Sequence, residues 1–154
     1  MSLELSNVLH DWADLATRQS MENNRRFMHA QGYSFAQMNS LFFIHHHEQG
    51  NINKLACHLG ISKAGASQMI ERLVESGLVN RDEDPQDRRT KRLSLTEEGQ
   101  ALIDNARIAR HSWIDEFCAC ISEDEKAPMA VALNSLVEHL KIYKEQLEEN
   151  NPEK

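Results

Sequence analysis

The segment NKLACHLGISKAGASQMIERLVESG at residues 53–77 decides the fold. It opens with Asn53, a residue type that caps helices, and its apolar positions then recur three and four residues apart, which is the helical period. The middle of the segment interrupts that period with Gly60, Ile61 and Ser62. The glycine permits a sharp turn, the isoleucine packs into it, and the serine caps a second helix. The segment therefore predicts two short helices joined by a tight turn, which is a helix-turn-helix.

A hairpin is predicted directly after this motif. The stretches LVNR at 78–81 and KRLSL at 91–95 are short and alternate in polarity, as half-buried strands do. The nine residues 82–90 between them are polar and contain Pro85, which indicates an exposed loop. A hairpin that follows a helix-turn-helix is a wing.

Amphipathic helices flank the helix-turn-helix and the wing on both sides. By the spacing of apolar residues, the predicted flanking helices cover residues 5–30, 35–48, 97–121 and 123 to about 150. Ser34, Thr96 and Ser122 precede three of them as caps, and Gly32 follows the first. The predicted fold class is mostly α with a small β-wing: a winged helix-turn-helix flanked by N- and C-terminal helices.

Length and composition suit one domain with helical extensions. The chain has 154 residues, 40% of them hydrophobic and 27% charged, an ordinary balance for a globular protein. No apolar run approaches the roughly 18 residues of a membrane span, and the N-terminus lacks the features of a signal peptide. We therefore expect a cytoplasmic protein without a membrane partner, in which Cys57, Cys118 and Cys120 are reduced thiols.

The charge distribution singles out the middle of the chain. The net charge is -7, which by itself argues against a nucleic-acid partner. Residues 54–92, however, hold eight Lys and Arg against six Asp and Glu, whereas the remainder holds nine against eighteen. The helix-turn-helix and wing are thus the part that can face a phosphate backbone without net repulsion.

The stretch LVESGLVNRDEDPQDRRTKRLSLTEEG at residues 73–99 resembles the signature of the MarR family. The matching features are Leu73, Gly77-Leu78-Val79, Arg81, Asp84-Pro85, Asp87-Arg88-Arg89, Leu95-Thr96 and Gly99. The resemblance implies a winged helix-turn-helix homodimer that binds double-stranded DNA, usually represses genes and often responds to a small ligand or an oxidant. On this basis residues 1–154 form a single MarR-type chain, with a DNA-binding lobe at 34–96 and dimerisation helices at 1–33 and 97–150.

The helix that begins after Ser62 is the predicted reading helix, since the major groove accepts one helix. Ser62 suits a phosphate, and Lys63 suits a phosphate or a guanine. Small residues at 64–65 permit close approach, with Ala64 a candidate contact for a thymine methyl. The remaining predicted contacts are base edges for Ser67 and Gln68 and a phosphate for Arg72.

The wing supplies the second predicted contact. Arg89 is the strongest candidate, because an always-charged guanidinium suits a narrow minor groove. The family resemblance implies that Asp87 holds this arginine by a charge-assisted hydrogen bond. Arg88, Lys91 and Arg92 would add backbone contacts. Arg81 is predicted to anchor the wing rather than contact DNA.

The outer helices predict a homodimer, because their apolar stripes would be exposed on a single chain. A two-fold dimer sets two reading helices about 34 Å apart, so the operator should be a pseudo-palindrome.

Three other residue groups allow more than one interpretation. Consecutive histidines at 45–47 project about 100° apart on a helix, so the three side chains cannot share one metal ion. Two interpretations stay open: a cluster of hydrogen-bonded histidines, or zinc sensing in which one histidine combines with other ligands. No metal ligand is assigned. The cysteines allow thiol sensing only if their pKa is lowered. Trp12, Phe43 and Trp113 either pack in the core or dimer interface or line a cleft for an aromatic effector.

The function predicted from these features is a DNA-binding transcriptional regulator, a repressor that a small-molecule effector releases from its operator. The alternative is a winged-helix protein-interaction module without DNA affinity, which the acidic net charge favours slightly. An enzyme is not expected, and no cofactor is assigned, because the sequence holds no glycine-rich phosphate loop, HExxH or GxSxG motif.

Overall fold

A computed structural model describes residues 2–47, 51–83 and 91–150. In chain order the elements are α1 (Ser2–Gln31), α2 (Phe35–His46), α3 (Ile52–Leu59), α4 (Lys63–Glu75), β1 (Val79–Glu83), β2 (Lys91–Leu95), α5 (Glu97–His111), α6 (Trp113–Ala119) and α7 (Glu123–Asn150). The predicted class, mostly helical with a small β-wing after a helix-turn-helix, is confirmed. The chain divides into two compact units, residues 1–113 and 114–154.

The first unit has one continuous apolar core. Every element from α1 to α5 contributes to it, and β1 does so through its first residue, Val79. The most deeply buried side chains, at 0% exposure, include Leu41, Leu55, Ile70, Leu73 and Ile103. Burying an aliphatic side chain of this size stabilises a fold by about 1.5–3 kcal/mol. The core therefore fixes the positions of α2, α3 and α4 relative to one another.

Local signals set most helix ends where the sequence predicts them. Ser34 caps α2 through a capping box: its Oγ accepts from Gln37 N at 3.2 Å, while its own N–H donates to Gln37 Oε1 at 2.8 Å. Directly after the C-terminus of α1, Gly32 adopts φ 74°, a left-handed conformation that glycine takes without strain.

The start of α3 differs from the prediction. Asn51, not Asn53, is the N-cap, and its side chain accepts from Lys54 N at 3.0 Å. Both asparagines suit a cap, but only a start at Ile52 brings that residue into the helix, where it is buried in the core. Ile52 is therefore the first residue of α3, and Asn51 before it is extended.

The single helix predicted over residues 97–121 is also wrong, since α5 ends at His111 and α6 begins at Trp113. The interruption is at Ser112, whose Oγ donates to Ala109 O at 3.0 Å. A serine hydroxyl that bonds a carbonyl of the preceding turn competes with the helical hydrogen-bond ladder. The apolar pattern continues across this serine, so periodicity does not reveal the break.

The base of the wing is closely fitted to the end of α4. Thr96, the cap of α5, accepts from Gly99 N at 3.0 Å and donates through its hydroxyl to Gly77 O at 2.6 Å. Gly99 packs so closely on Leu78 that an added Cβ would lie 2.1 Å from Leu78 O. These contacts explain why threonine and glycine stand at 96 and 99.

The second unit consists of the rest of α6 together with α7. Along α7 most of the larger apolar side chains are exposed, among them Leu140 at 65% and Leu147 at 51%, whereas Leu136 is half-buried. Among the described residues, none of the helices combines the length and apolar character of a membrane span.

Candidate nucleic-acid interface

The turn between α3 and α4 has the geometry that its sequence predicts. Gly60 is left-handed at φ 64°, and Ile61 N donates to Ala56 O at 3.0 Å. Ser62 is extended and caps α4, with its Oγ accepting from Gly65 N at 3.1 Å. The turn thus closes α3 and starts α4 within three residues.

One face of α4 is fixed by the core and the opposite face is free. Ala66, Ile70 and Leu73 are fully buried and hold the helix against the rest of the unit. These residues are separated by three or four positions, so they share one side of the helix. The polar side chains between them must then project outward.

The predicted reading residues lie on that outward side. Ser62, Lys63, Ala64, Gln68 and Arg72 are exposed, so the N-cap and the first three turns of α4 present a hydroxyl, an amide and two cations to solvent. Ser67 is only half-buried at the same surface, and its hydroxyl donates to Glu71 Oε1 at 3.5 Å. All six residues come from one short stretch of chain and occupy one continuous surface.

An ion pair connects the reading helix to the wing. Arg81 Nη1 of β1 lies 3.9 Å from Glu71 Oε1 of α4. This contact supports the role of Arg81 as a wing anchor, and it also engages an acidic group on the exposed side of α4. Sequence reasoning missed the partner, because two opposite charges ten residues apart carry no signal until the position of the wing is known.

The wing is a two-stranded antiparallel sheet in which Val79 pairs with Leu95 and Glu83 with Lys91. The strand β1 extends to Glu83, two residues beyond the prediction, and Lys91 Nζ donates to Glu83 Oε1 at 2.9 Å across the ladder. Opposite charges facing each other across a ladder stabilise the pairing. Lys91 therefore lies at the described end of β2, paired with a carboxylate.

Arg92 is exposed on β2, whereas three further predicted wing residues, Asp87, Arg88 and Arg89, lie outside the described residues. Their roles therefore stay predictions.

The histidines of α2 have partners within the protein. His45 Nδ1 hydrogen-bonds with Gln100 Oε1 at 2.9 Å, and His47 Nδ1 donates to Phe43 O at 2.9 Å. Within residues 2–47, 51–83 and 91–150, no three His, Cys, Asp or Glu side chains are grouped as metal ligands. The three cysteines are free thiols and exposed.

The aromatic residues proposed for an effector cleft occupy different environments. Phe43 is buried in the core and stacks on His47 at a centroid distance of 4.3 Å. Trp113 is half-buried and its Nε1 donates to Ser20 Oγ at 3.0 Å. Trp12 is exposed on α1. Phe43 therefore packs as a core residue.

A helix-turn-helix whose second helix is exposed, followed by a two-stranded wing, defines a winged helix-turn-helix protein. The model of the MarR family matches residues 34–91, so the chain is similar to that family over this stretch. This match covers α2 to the start of β2, which includes the predicted reading helix.

Two similar proteins have names that describe them as a transcriptional repressor and a transcriptional regulator. The chain is 26% identical over 122 residues to the transcriptional repressor MprA of Escherichia coli, covering 78% of this chain and 69% of that protein. It is 37% identical over 68 residues to YhbI of Bacillus subtilis, an uncharacterised helix-turn-helix-type transcriptional regulator, covering 44% of each chain.

Solved structures share the fold over most of the chain. The transcriptional regulator Tm0710 of Thermotoga maritima superposes with a TM-score of 0.72 at 20% identity, covering 99% of each chain. The multiple antibiotic-resistance repressor of Listeria monocytogenes gives 0.73 at 19% identity, covering 90% of this chain and 94% of that one. A variant of Staphylococcus aureus MepR bound to an oligodeoxyribonucleotide gives 0.56 at 22% identity, covering 90% and 96%.

Proposed function

We propose that this protein is a DNA-binding transcriptional regulator that uses α4 as its reading helix and the wing as a second contact. The observation that carries the proposal is the surface of α4: its first three turns carry exposed polar and cationic side chains on one side, while its other face is fixed in the core. A rigidly held helix with an open polar face suits insertion into a major groove. The oligonucleotide-bound MepR structure, of similar fold, supports the same use of the fold here.

The contacts divide into positioning and reading roles. Ser62 and Lys63, at the start of α4, suit phosphates, because helix N-terminal amides and cations attract anions. The side chain of Gln68 is exposed and forms no hydrogen bond with another described residue, so its side-chain amide is available to a base edge. Ser67 is a weaker reader, since its hydroxyl already has Glu71 as a partner. Ala64 adds room for close approach.

The wing adds a minor-groove contact in this proposal. Arg89 would enter the groove, Asp87 would hold its guanidinium, and Arg88 and Lys91 would contact the backbone. The anchor between Arg81 and Glu71 supports this arrangement, because it ties the wing to the reading helix.

Arg89→Ala tests this function. We expect it to weaken binding to a duplex from the region upstream of the protein's own coding sequence by roughly 1–3 kcal/mol, the scale of one good groove contact. Fluorescence anisotropy titration at fixed salt measures the effect. Arg107→Ala, which removes an exposed cation from α5, is the matched control and should leave affinity nearly unchanged. Equal affinities for Arg89→Ala and the wild type would remove the wing from the proposal.

The regulator is proposed to act as a homodimer on a pseudo-palindromic operator. The exposed apolar side chains of α1, and separately those of α7, support pairing, because large apolar side chains in such number are costly to leave in water. The division of labour proposed from the sequence follows, with residues 34–96 binding DNA and the helices at 1–33 and 97–150 pairing two copies.

Repression and release by an effector complete the proposal. The name of the MprA relative supports a repressor rather than an activator, and the names of both relatives support a regulator rather than an enzyme. A regulator of transcription in this family would work in the cytoplasm, where the chromosome is. A thermal-shift screen with phenolic acids, zinc and peroxide addresses the effector, because a ligand of the folded state raises its melting temperature.

The alternative is a winged-helix module that binds another protein and has no DNA affinity. Salt separates the two functions, since binding to the phosphate backbone releases counterions and weakens steeply as salt rises. Failure of the wild type to bind any duplex at low salt would favour the alternative.

A further inference from the structure

A small cleft lies between the start of α2 and one flank of α4. It encloses about 240 Å³ and is lined by Ser34, Gln37, Gly65, Gln68, Met69 and Arg72. Glu71, which pairs with Arg81 of the wing, precedes Arg72 by one position and therefore projects about 100° away from it around the helix. The cleft and the wing thus border different flanks of the reading helix.

The capping box of α2 leaves hydrogen-bond donors at this cleft. Ser34 Oγ accepts from Gln37 N, which uses an oxygen lone pair and leaves the hydroxyl hydrogen available. Gln37 Oε1 accepts from Ser34 N, which leaves the Nε2 amide hydrogens of Gln37 without a described partner. The capping box therefore caps the N-terminus of α2 and also presents two side-chain donors, the Ser34 hydroxyl and the Gln37 amide.

The α4 side of the cleft contributes a cation and a further amide. Arg72 and Gln68 are exposed, and neither side chain hydrogen-bonds or pairs with any other described residue. The six lining residues include no carboxylate. A guanidinium, two amides and a hydroxyl around one small cleft, without an anion of the protein, match the needs of an oxyanion.

We propose that this cleft binds one phosphodiester group of the DNA backbone, on the side of the major groove opposite the wing. The proposal rests on the proposed function and extends it by adding Ser34 and Gln37 of α2 to the interface. A groove is bordered by a backbone on each side, so a helix inserted into it needs an anchor on both flanks. The wing supplies one anchor, and the cleft supplies the other.

The cleft positions α4 rather than reading sequence. Phosphate contacts fix the register and depth of a helix in the groove and are the same at every base pair. Removing the charge of Arg72 should therefore weaken specific and non-specific binding by similar factors. Loss of Gln68, which faces both the cleft and the groove, should instead change the preference among sequences.

The test compares Arg72→Gln with Arg107→Gln, which removes the same charge from α5. Affinity for the upstream duplex and for an unrelated duplex is measured by anisotropy across a range of salt concentrations. We expect Arg72→Gln to weaken both by at least about tenfold and to lower the slope of log affinity against log salt by about 2, because the homodimer loses one phosphate contact in each half-site. Arg107→Gln should change neither quantity appreciably, and Arg72→Lys should restore most of the slope.

A second measurement identifies the phosphate. A set of upstream duplexes, each with one backbone position replaced by an uncharged methylphosphonate, is titrated with the wild type and with Arg72→Gln. We expect one position per half-site at which the wild type loses affinity and Arg72→Gln loses no more. Melting temperatures of the variants, expected to match the wild type because residue 72 is exposed, exclude a folding defect.

Three results would overturn the proposal. Arg72→Gln could retain the wild-type salt slope, or it could weaken only the upstream duplex, which would make Arg72 a base contact. Alternatively, inorganic phosphate could raise the melting temperature of the wild type but not of Arg72→Gln while the salt slope on DNA stays the same, which would assign the cleft to a free anion. A wild type that binds no duplex at low salt defeats the proposed function itself and is distinguished from these results by that first titration.

Discussion

The helix α4, which we propose to read DNA, and the long helix α7 have similar apolar spacing but opposite environments. In α4, Ile70 and Leu73 have no exposed surface, whereas in α7, Leu140 and Leu147 are 65% and 51% exposed. Three- and four-residue spacing shows that a helix has an apolar face, but it does not show what covers that face. The apolar face of α4 is buried in the core of its own unit, whereas the apolar face of α7 is exposed to water in a single chain.

The difference separates the two tasks that we propose for the molecule. A helix that reads DNA must be held rigidly, so its apolar side belongs in the core and its polar side stays free. A helix that pairs two copies must keep its apolar side available. The stripe of α7 consists of Met129, Leu133, Leu136, Val137, Leu140, Tyr143 and Leu147.

The largest expected effect is a loss of stability in the buried part of the molecule, where Gly99 packs on Leu78. Gly99→Ala would place a methyl 2.1 Å from Leu78 O, where backbone must move, so we expect it to lower the free energy of unfolding by about 3 kcal/mol or more. Chemical denaturation measures the loss. The matched control is Gly65→Ala, since a Cβ there meets Ser62 Oγ at an ordinary 3.4 Å and alanine favours a helix by about 1 kcal/mol over glycine. Similar stabilities for the two variants would contradict the close fit at the wing base.

A smaller effect, on dimerisation, is expected from the exposed apolar stripe of α7. Leu140→Asp puts a charge on the stripe of α7, and we expect it to raise the dimer dissociation constant at least about tenfold, because a buried leucine contributes about 1.5–3 kcal/mol. Sedimentation velocity over a concentration series provides the measurement. Ile142→Asp changes a residue that is also exposed, at 52%, but lies off the stripe. Equal dissociation constants for these two variants would show that the stripe is not the pairing surface.

The smallest expected effect concerns an exposed charge cluster on α1. Hydrogen bonds from Arg25 and Arg26 hold the pKa of the Glu22 carboxyl below its ordinary value. A carboxyl with a lowered pKa stabilises the fold above its unfolded pKa, and this contribution disappears as the pH falls through the folded pKa. Because the cluster is exposed to solvent, Glu22→Gln should lower the melting temperature only slightly at neutral pH and not at all in strong acid. A difference that grows on acidification would contradict this sign.

Sequence alone predicts the features that local chemistry controls. Ser34, Ser62 and Thr96 cap the helices they were expected to cap, because a cap needs only its own side chain and the next turn of backbone. Asn51 was missed in favour of Asn53, since both fit the rule and only packing of Ile52 distinguishes them. The break at Ser112 was missed because the apolar pattern continues into Trp113 and Ile114.

Contacts between distant residues are beyond such reasoning. Sequence identified Arg81 as an anchor but not its partner Glu71, and identified Ser34 as a cap but not its place beside Arg72. Both pairs are brought together by the packing of α2, α4 and the wing on one core. The exposure of the predicted reading residues could be expected from the sequence because they follow the period of one helix, whereas the surroundings of each residue needed the fold.

The most direct test of the account is the stoichiometry and salt dependence of the protein on DNA. Sedimentation velocity of a fluorescent upstream duplex with the wild type at low and raised salt gives both. The account predicts two chains per duplex at low salt and dissociation of the complex as salt rises. One chain per duplex at saturation, or no complex with any duplex at low salt, would contradict it.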